Sequence, residues 1–189
     1  MAKTPAKAKA KLGMHASLWT AEWTRAAAEL AIPEAAEHKL ACIEVPMLVP
    51  ESVDAPHSRK LFERHGVEPT CSLCLPLELS APLLPDKITD FLIKALDKSK
   101  ELGSSFLGGV TYSALGYRSG LPPSNTEYAA VVKALKPAAK HAKKLGLTLG
   151  IEPCNRYETH LLNTSSQPLG GIVVTRVVRN CDFGKFEIG

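Results

Sequence analysis

The 189-residue sequence predicts an α/β fold in which five short strands alternate with four helices. Short apolar runs recur along the chain, and segments with helix formers or with apolar residues at helical spacing lie between them. Glycine or proline stands at most of the junctions, where these residues end helices and strands. Strands that alternate with helices in this way pair in parallel through right-handed crossovers.

The five predicted strands are apolar runs that stop at polar or strand-breaking residues. The second run closes at Pro46, and the fifth begins just after Gly146 and stops before Pro153, which cannot donate to a sheet ladder. A loop rich in Gly, Ser and Pro follows the fourth run at residues 113–124. The strands are predicted at residues 11–19, 40–46, 67–75, 106–112 and 147–151.

The four predicted helices are bounded by glycine and interrupted by proline. Gly66 and Gly103 stand where a left-handed residue is expected to end a helix. Pro33 is expected to divide the first helix in two, and Pro137 is expected to kink the fourth. The helices are predicted at residues 20–38, 52–65, 85–102 and 125–145.

Two architectures fit this order of elements. A five-stranded flavodoxin-like sheet suits the chain length, whereas a (β/α)8 barrel suits the spacing of the strands but not the length. The four units between strand centres near Met14 and Leu149 average about 34 residues, so eight such units need roughly 270. On length and periodicity alone, the open sheet is favoured.

The charge balance indicates neither a nucleic-acid partner nor a membrane partner. The net charge is only +4, and no apolar run approaches the length of a membrane span. Residues 1–10 are rich in Lys and Ala without an apolar segment, which predicts a disordered basic arm and not a secretory signal. The positive charges of four lysines at the start of the chain together equal this net charge: Lys3, Lys7, Lys9 and Lys11.

Five cysteines in a chain without an export signal indicate a reducing compartment, so we expect a cytoplasmic protein. Cys71 and Cys74 have the spacing of a redox or zinc pair, but no second pair completes a zinc site. Both fall on the third predicted strand, where residues three apart point to opposite faces. We therefore predict that both are small buried hydrophobic residues.

The clearest candidate for a functional site begins where the fifth strand ends. Glu152 follows the buried run, and four polar residues come shortly after it: Asn155, Arg156, Glu158 and His160. In α/β proteins, ligands bind at the carboxyl ends of the strands. On residue types alone, however, a solvated carboxylate or an ion-pair partner of Arg156 is the more common explanation of Glu152.

A longer pattern covers residues 152–164, which spell Glu-Pro-x-Asn-Arg-Tyr-Glu-x-His-x-Leu-Asn-Thr. It closely resembles the fifth-strand motif of the ketose 3-epimerases, the D-tagatose 3-epimerase and D-allulose (psicose) 3-epimerase group of the xylose-isomerase-like TIM barrels. Residues 13–23 resemble the first-strand segment of the same enzymes, and residues 108–113 resemble their fourth.

The resemblance implies a partial (β/α)8 TIM barrel domain at residues 11–166, made of about the first five βα units. Residues 167–189 match no counterpart of strands six to eight, so they are expected to form a diverged tail in a truncated form of the enzyme.

The resemblance also implies a reaction and the residues that carry it. Ketose 3-epimerases exchange the proton at C3 of a free ketose through an enediolate, with a divalent metal ion, Mn²⁺ or alternatively Co²⁺ or Mg²⁺. By resemblance, Glu152 is both a metal ligand and a catalytic acid/base, and Glu158 hydrogen-bonds the substrate. His15 and Trp23 match first-strand positions that contact the sugar, although on residue types alone both would be core residues.

Several positions of the family pattern have no match in this chain. The family's other metal ligands come from strands six to eight, and Asp182 does not fit their motif. Lys39 replaces a usual Gly, and Leu115 replaces a pocket Trp of several members, which bears on the sugar preference. Since one carboxylate is a poor site for a hard divalent cation, this chain alone is expected to bind metal weakly and to turn over slowly or not at all.

Other interpretations stay open. The full-length family is expected to be homo-oligomeric, and this chain is alternatively a non-catalytic half-barrel that associates with itself or with a full-length subunit. A related isomerase such as hydroxypyruvate isomerase, or a sugar-acid or inosose enzyme, is the nearest enzymatic alternative. A flavodoxin-like binding module is a third, but no Gly-rich phosphate loop follows the first strand.

Overall fold

The computed structural model describes residues 11–164, in which a five-stranded parallel sheet packs against four α-helices. The predictions for the basic arm and the diverged tail lie outside the described residues. The strands are β1 Gly13–His15, β2 Cys42–Pro46, β3 Glu68–Leu75, β4 Phe106–Ala114 and β5 Thr148–Leu149. The helices are α1 Arg25–Glu37, α2 Ala55–His65, α3 Pro85–Leu102 and α4 Asn125–Leu145.

The order of the strands decides between the two architectures. Each strand pairs in parallel with the next one along the chain, in the order β1-β2-β3-β4-β5. A flavodoxin-like sheet instead places its first strand inside the order, as 2-1-3-4-5. Consecutive parallel strands are the arrangement of a barrel wall. The predicted α/β class and the partial barrel are therefore confirmed, and the open sheet favoured by length alone is wrong.

The helices form one layer, and the residues of the strands alternate between that layer and an open inner face. Each helix packs against the next one in sequence. On β2, Ile43 and Val45 are fully buried, whereas Glu44 between them is partly exposed. β3 continues the same alternation. Its residues on the helix side are Cys71, Leu73 and Leu75, and its residues on the inner face are Thr70, Ser72 and Cys74.

Pro33 does not divide the first helix. α1 runs without a break from Arg25 to Glu37, with Pro33 inside it. Proline removes one hydrogen bond to the carbonyl group four residues earlier, that of Glu29. Glu29 is exposed, so water can replace the missing donor. The other face of α1 is fully buried through small residues and one isoleucine, and this packing holds the helix together: Ala28, Ala31, Ile32 and Ala35.

The ends of the other helices follow the predicted signals. Three helices end at a glycine with a left-handed backbone, with φ of 67° at Gly66, 98° at Gly103 and 70° at Gly146. α3 and α4 have the predicted bounds, and α4 continues through Pro137. Across residues 11–164, none of the helices is both long enough and apolar enough to cross a bilayer.

The Cys71 and Cys74 side chains lie on opposite faces of β3, as predicted. Cys71 is fully buried, and this burial raises the pKa of its thiol to about 12. Cys74 is only half-buried because it lies on the inner face, so the prediction that both would be buried holds for Cys71 alone. Both are free thiols.

Candidate active site

Glu152 lies at the carboxyl end of the fifth strand. The regular part of β5 is short, but its pairing with β4 continues beyond Leu149 through two further backbone hydrogen bonds. Gly150 donates to the carbonyl oxygen of Leu107 at 2.7 Å, and Glu152 donates to that of Gly109 at 2.9 Å. The backbone of Glu152 is therefore fixed by the sheet, and its side chain is at the edge where ligands bind in parallel α/β folds.

The loop of residues 152–164, called the acid loop below, is anchored by the tyrosine of β4. The hydroxyl group of Tyr112 lies 3.1 Å from the carbonyl oxygen of Glu152 and 3.2 Å from that of Leu162. The Tyr112 side chain is fully buried, and this burial is the main reason why the pKa of its hydroxyl is raised. Both ends of the acid loop are thus held by one buried donor.

Asn155 orients Glu158 within the acid loop. Its side-chain oxygen accepts hydrogen bonds from the N–H groups of Tyr157 at 2.9 Å and Glu158 at 3.2 Å. Its side-chain NH₂ donates to the Glu158 carboxylate at 2.5 Å. Gly116 also donates to the Glu158 carbonyl oxygen at 2.7 Å. The Glu158 side chain is exposed to solvent, but its hydrogen bond with Asn155 restrains it.

Arg156 does not neutralise Glu152. The guanidinium group of Arg156 lies over the ring of Tyr157, 5.5 Å from its centre. Within residues 11–164, no ion pair joins Arg156 to Glu152. The simple explanation of Glu152 as a salt-bridge partner of its neighbour is therefore wrong.

The surroundings of Glu152 raise the pKa of its carboxyl group. Partial desolvation at the mouth of the inner face is the largest cause, followed by repulsion from the carboxylates of Glu44 and Glu158. His15 acts in the opposite direction. A carboxyl group with a raised pKa is better suited to both accepting and returning a proton near neutral pH.

Glu44 belongs to this candidate site and was not predicted from the sequence. It lies on the inner face of β2, between His15 on β1 and Thr70 on β3 in the register of the sheet. A signal was present in the sequence, because Glu44 interrupts an apolar run that closes on a proline. Glu152 stands in the same kind of position before Pro153.

His15 is partly exposed at the end of β1 and faces the same side as Glu44. Its Nδ1 atom accepts a hydrogen bond from the N–H group of Ser17 at 3.1 Å, which begins a short 3-10 turn at Ala16–Leu18. Since Nδ1 is an acceptor, the neutral ring carries its proton on Nε2. His15 thus has one N–H donor left for a ligand.

Trp23 lies in the core. Its ring is 1% exposed and stacks on Phe62 of α2, with ring centres 6.0 Å apart and planes 11° apart. Its indole N–H donates to the hydroxyl group of Ser58 at 3.1 Å. A core position of this kind is what the residue type alone predicts for Trp23. Trp23 offers almost no surface to a ligand, so its contact with a sugar stays a prediction.

The described residues do not make a metal site on their own. Across residues 11–164, no group of three or more His, Cys, Asp or Glu side chains is arranged to hold a metal ion. Glu152 would supply one carboxylate, whereas divalent cations such as Mg²⁺ and Ca²⁺ take about six or more oxygen ligands. The donor set of this part of the chain therefore does not fit the predicted metal by itself.

Sequence comparisons place the chain among sugar-converting enzymes. A model of the xylose isomerase-like TIM barrel family matches residues 32–170. An L-ribulose 3-epimerase of Methylomonas sp. strain DH-1 is 34% identical over 161 residues, which are 83% of this chain and 56% of the relative. A ketose 3-epimerase of Arthrobacter globiformis is 29% identical, over 84% of this chain and 56% of the relative.

Solved structures agree with this assignment. A D-allulose 3-epimerase from Methylomonas sp. in complex with D-allulose superposes with a TM-score of 0.76 at 32% identity, covering 83% of this chain and 56% of that one. An L-ribulose 3-epimerase gives the same TM-score at 25% identity, over 84% and 54% of the two chains. The chain spans little more than half the length of the curated relatives it matches, and those relatives are epimerases, a class of isomerase. The chain belongs to the xylose isomerase-like TIM barrel family.

Proposed function

We propose that this chain provides one wall of a ketose 3-epimerase site, in which Glu152 exchanges the proton at C3 of a free ketose. The observation that carries the proposal is the position of Glu152 at the carboxyl end of the fifth parallel strand, beside an open inner face and with a raised pKa. The relatives named above are 3-epimerases of ketoses, and one of them was solved with D-allulose bound.

The proton exchange follows from the chemistry of a carbon next to a carbonyl group. Glu152 takes the proton from C3, and the electron pair of the broken C–H bond becomes conjugated with the C2 carbonyl as an enediolate. Return of a proton to C3 from the opposite face gives the epimer. The acid for that opposite face lies outside the residues assigned in this part of the chain.

Glu158 and His15 are the proposed sugar contacts beside Glu152. In this proposal the Glu158 carboxylate, which Asn155 orients, accepts hydrogen bonds from ketose hydroxyl groups. The Nε2–H group of His15, which makes no hydrogen bond within residues 11–164, donates to an oxygen of the sugar in this proposal. Trp23 would contribute only if substrate binding exposed its ring.

The family resemblance predicts Mn²⁺, or alternatively Co²⁺ or Mg²⁺, with Glu152 as a ligand, but within residues 11–164 no group of three or more His, Cys, Asp or Glu side chains is arranged to hold the ion. No step is therefore assigned to a metal ion. The 189-residue chain alone should bind divalent ions weakly and convert ketoses slowly or not at all.

Incubation of the purified chain with D-fructose or D-tagatose and Mn²⁺ tests the role of Glu152. Any C3 epimer above the protein-free blank should disappear in Glu152→Gln and persist in Glu37→Gln, which changes an exposed carboxylate at the end of α1. Turnover that survives in Glu152→Gln would refute the role. Absence of product from the wild-type chain would show that these 189 residues do not catalyse the exchange alone.

A second candidate function is association as a non-catalytic half-barrel, with a second copy or a full-length subunit. The outer edge of β1 has no partner strand within residues 11–164. Met14 pairs in register with the fully buried Ile43 but is itself 42% exposed, and Leu12 beside it is 72% exposed. On α1, Leu30 is 51% exposed. Light scattering tests this candidate: a clean monomer would contradict it, and Met14→Lys should reduce any oligomer.

A further inference from the structure

The carboxylate of Glu127 joins the start of α4 to the acid loop. One of its oxygens accepts hydrogen bonds from both the N–H group and the hydroxyl group of Ser124, each at 2.8 Å. The other oxygen lies 2.9 Å from Nε2 of His160. The side chains of His160 and Glu127 are only 10% and 16% exposed. Both carboxylate oxygens are thus occupied, and the Glu127 side chain is fixed from two directions.

The roles of the hydrogen-bonding groups in this cluster follow from their contacts. Burial alone would raise the pKa of Glu127, but the hydrogen bonds from His160 and Ser124 outweigh it and lower the pKa. Within the described residues, the buried Nδ1 atom of His160 has no hydrogen-bond partner. A proton on that atom would be buried without an acceptor, so the contact with Glu127 is assigned to a proton on Nε2, which is donated to the carboxylate.

Glu158 lies two residues before His160, and backbone hydrogen bonds hold the chain around it. Thr159 between them is fully buried, and its N–H group donates to the Asn155 carbonyl oxygen at 3.2 Å. On the other side of Glu158, its carbonyl oxygen accepts from Gly116 at 2.7 Å. The Tyr117 ring lies beside the His160 ring, with centres 5.8 Å apart. The Glu158 carbonyl group is therefore held by the connection between β4 and α4, and the residue after it is held within the acid loop.

We propose that His160, held by Glu127 and Ser124, is a positioning residue that places Glu158 for binding a ketose; this inference rests on the function proposed above. His160 need not touch the sugar. It acts through the backbone of the acid loop, which it fastens to the first turn of α4. Loss of its N–H donor should release Glu158 from its place without unfolding the sheet, because the core residues beneath the helices remain unchanged.

Two variants of His160 distinguish the effect of losing its N–H donor from the effect of losing its ring. His160→Leu removes the N–H group, whereas His160→Gln keeps an N–H donor at nearly the position of Nε2. His141→Leu is a matched control, because it removes another histidine–carboxylate contact, 2.7 Å to Asp97, on the surface of α4. Each variant is made in the full 189-residue chain, and the fold is checked by the backbone NMR spectrum.

The first readout needs no turnover. Amide hydrogen exchange at residues 158–161 should become at least about tenfold faster in His160→Leu, as expected when a hydrogen bond to a charged group is lost. His160→Gln and His141→Leu should exchange within about threefold of the wild type. Unchanged exchange in His160→Leu would overturn the inference.

The second readout links the cluster to the sugar. D-Allulose is titrated into each protein, and the shift of the Glu158 amide signal gives the dissociation constant. The dissociation constant should rise at least about tenfold in His160→Leu and be restored to within about threefold in His160→Gln. Equal affinity in the wild type and His160→Leu would overturn the positioning role alone. Absence of D-allulose binding by the wild type would overturn the proposed function together with this inference.

Discussion

At the scale of single residues, the proposed site depends on a carboxyl group whose charged form is disfavoured by its surroundings. Glu152 is held at the mouth of the inner face by its backbone bond to Gly109, beside the carboxylates of Glu44 and Glu158. Although the Glu152 side chain is exposed, its carboxyl group is partly desolvated and is repelled by both of these carboxylates, so its pKa is raised. Groups with perturbed pKa values of this kind are concentrated at functional sites.

Replacing Glu152 should stabilise the fold at neutral pH. The pKa of Glu152 is higher in the folded chain than its ordinary value of 4.5. Ionisation of Glu152 therefore destabilises the folded state at pH values above the folded pKa and has no effect on stability at pH values below 4.5. Glu152→Gln should therefore raise the free energy of unfolding at pH 7, by less than about 1 kcal/mol because the side chain is partly in water. Urea unfolding should show that the gain disappears in more acidic buffer, and a less stable variant at pH 7 would contradict this reasoning.

Replacing Glu44 should lower the pKa of Glu152. Glu44→Gln removes the larger of the two carboxylate repulsions that raise the pKa of Glu152, while keeping the size and shape of the side chain. A carbon-detected NMR titration of the Glu152 carboxyl group measures the change directly. Glu51→Gln is the control, since Glu51 pairs with Lys94 and does not act on Glu152. The same pKa in wild type and Glu44→Gln would remove Glu44 from the site.

At the scale of elements, the acid loop depends on a buried tyrosine on the neighbouring strand. The Tyr112 hydroxyl group lies between the carbonyl oxygens of Glu152 and Leu162. Within the loop, the N–H group of Cys154 donates a hydrogen bond to the carbonyl oxygen of Leu162 at 2.9 Å. Strand β4 thus supplies both the ladder partner of Glu152 and the anchor of the loop that follows it.

Tyr112→Phe should loosen the acid loop without creating a cavity. The change removes one hydroxyl group from a fully buried site and leaves two carbonyl oxygens without this donor. We expect a loss of about 1–3 kcal/mol in the free energy of unfolding, measured in urea. Tyr157→Phe is the matched control, because the Tyr157 side chain is largely exposed, and it should change stability very little. An equal effect of both changes would contradict the anchoring role.

Helices and strands differed in how far the sequence could predict them. The bounds of α3 and α4 follow from an apolar stripe that ends at a glycine, which is local information. β1 is shorter than predicted, because His15 accepts from Ser17 and turns the chain into Ala16–Leu18. Pro33 was misjudged because the buried alanine face of α1 outweighs one lost hydrogen bond.

The sequence indicates residues of the candidate site where its signal is contiguous and misses those whose place depends on tertiary pairing. Glu152 and Glu158 lie in one stretch of sequence that carries the family pattern. Glu44 interrupts the apolar run before Pro46, but that local pattern does not show that it faces His15, which follows only from the register of β1 and β2. The bond between Glu127 and His160 joins residues far apart in the chain, so their spacing predicts nothing about it.

At the scale of the whole molecule, five consecutive parallel strands form part of a barrel wall with its helices on one side. The inner face carries Glu44, His15 and the approach to Glu152, while the β1 edge exposes Leu12 and Met14. The chain covers 56% of the length of its Methylomonas relative. The site residues described above therefore make one wall, and the opposite wall of a complete barrel would come from further βα units.

The central claim is that Glu152 is the proton-exchanging carboxylate of a ketose 3-epimerase wall. The most direct measurement joins residues 11–164 to the sixth to eighth βα units of the Methylomonas relative and follows C3 epimer formation from D-allulose with Mn²⁺. We expect the chimera to form D-fructose and its Glu152→Gln form to lose at least about a thousandfold in rate, as when a catalytic acid/base is removed. A folded chimera without activity, or full activity in Glu152→Gln, would contradict the claim.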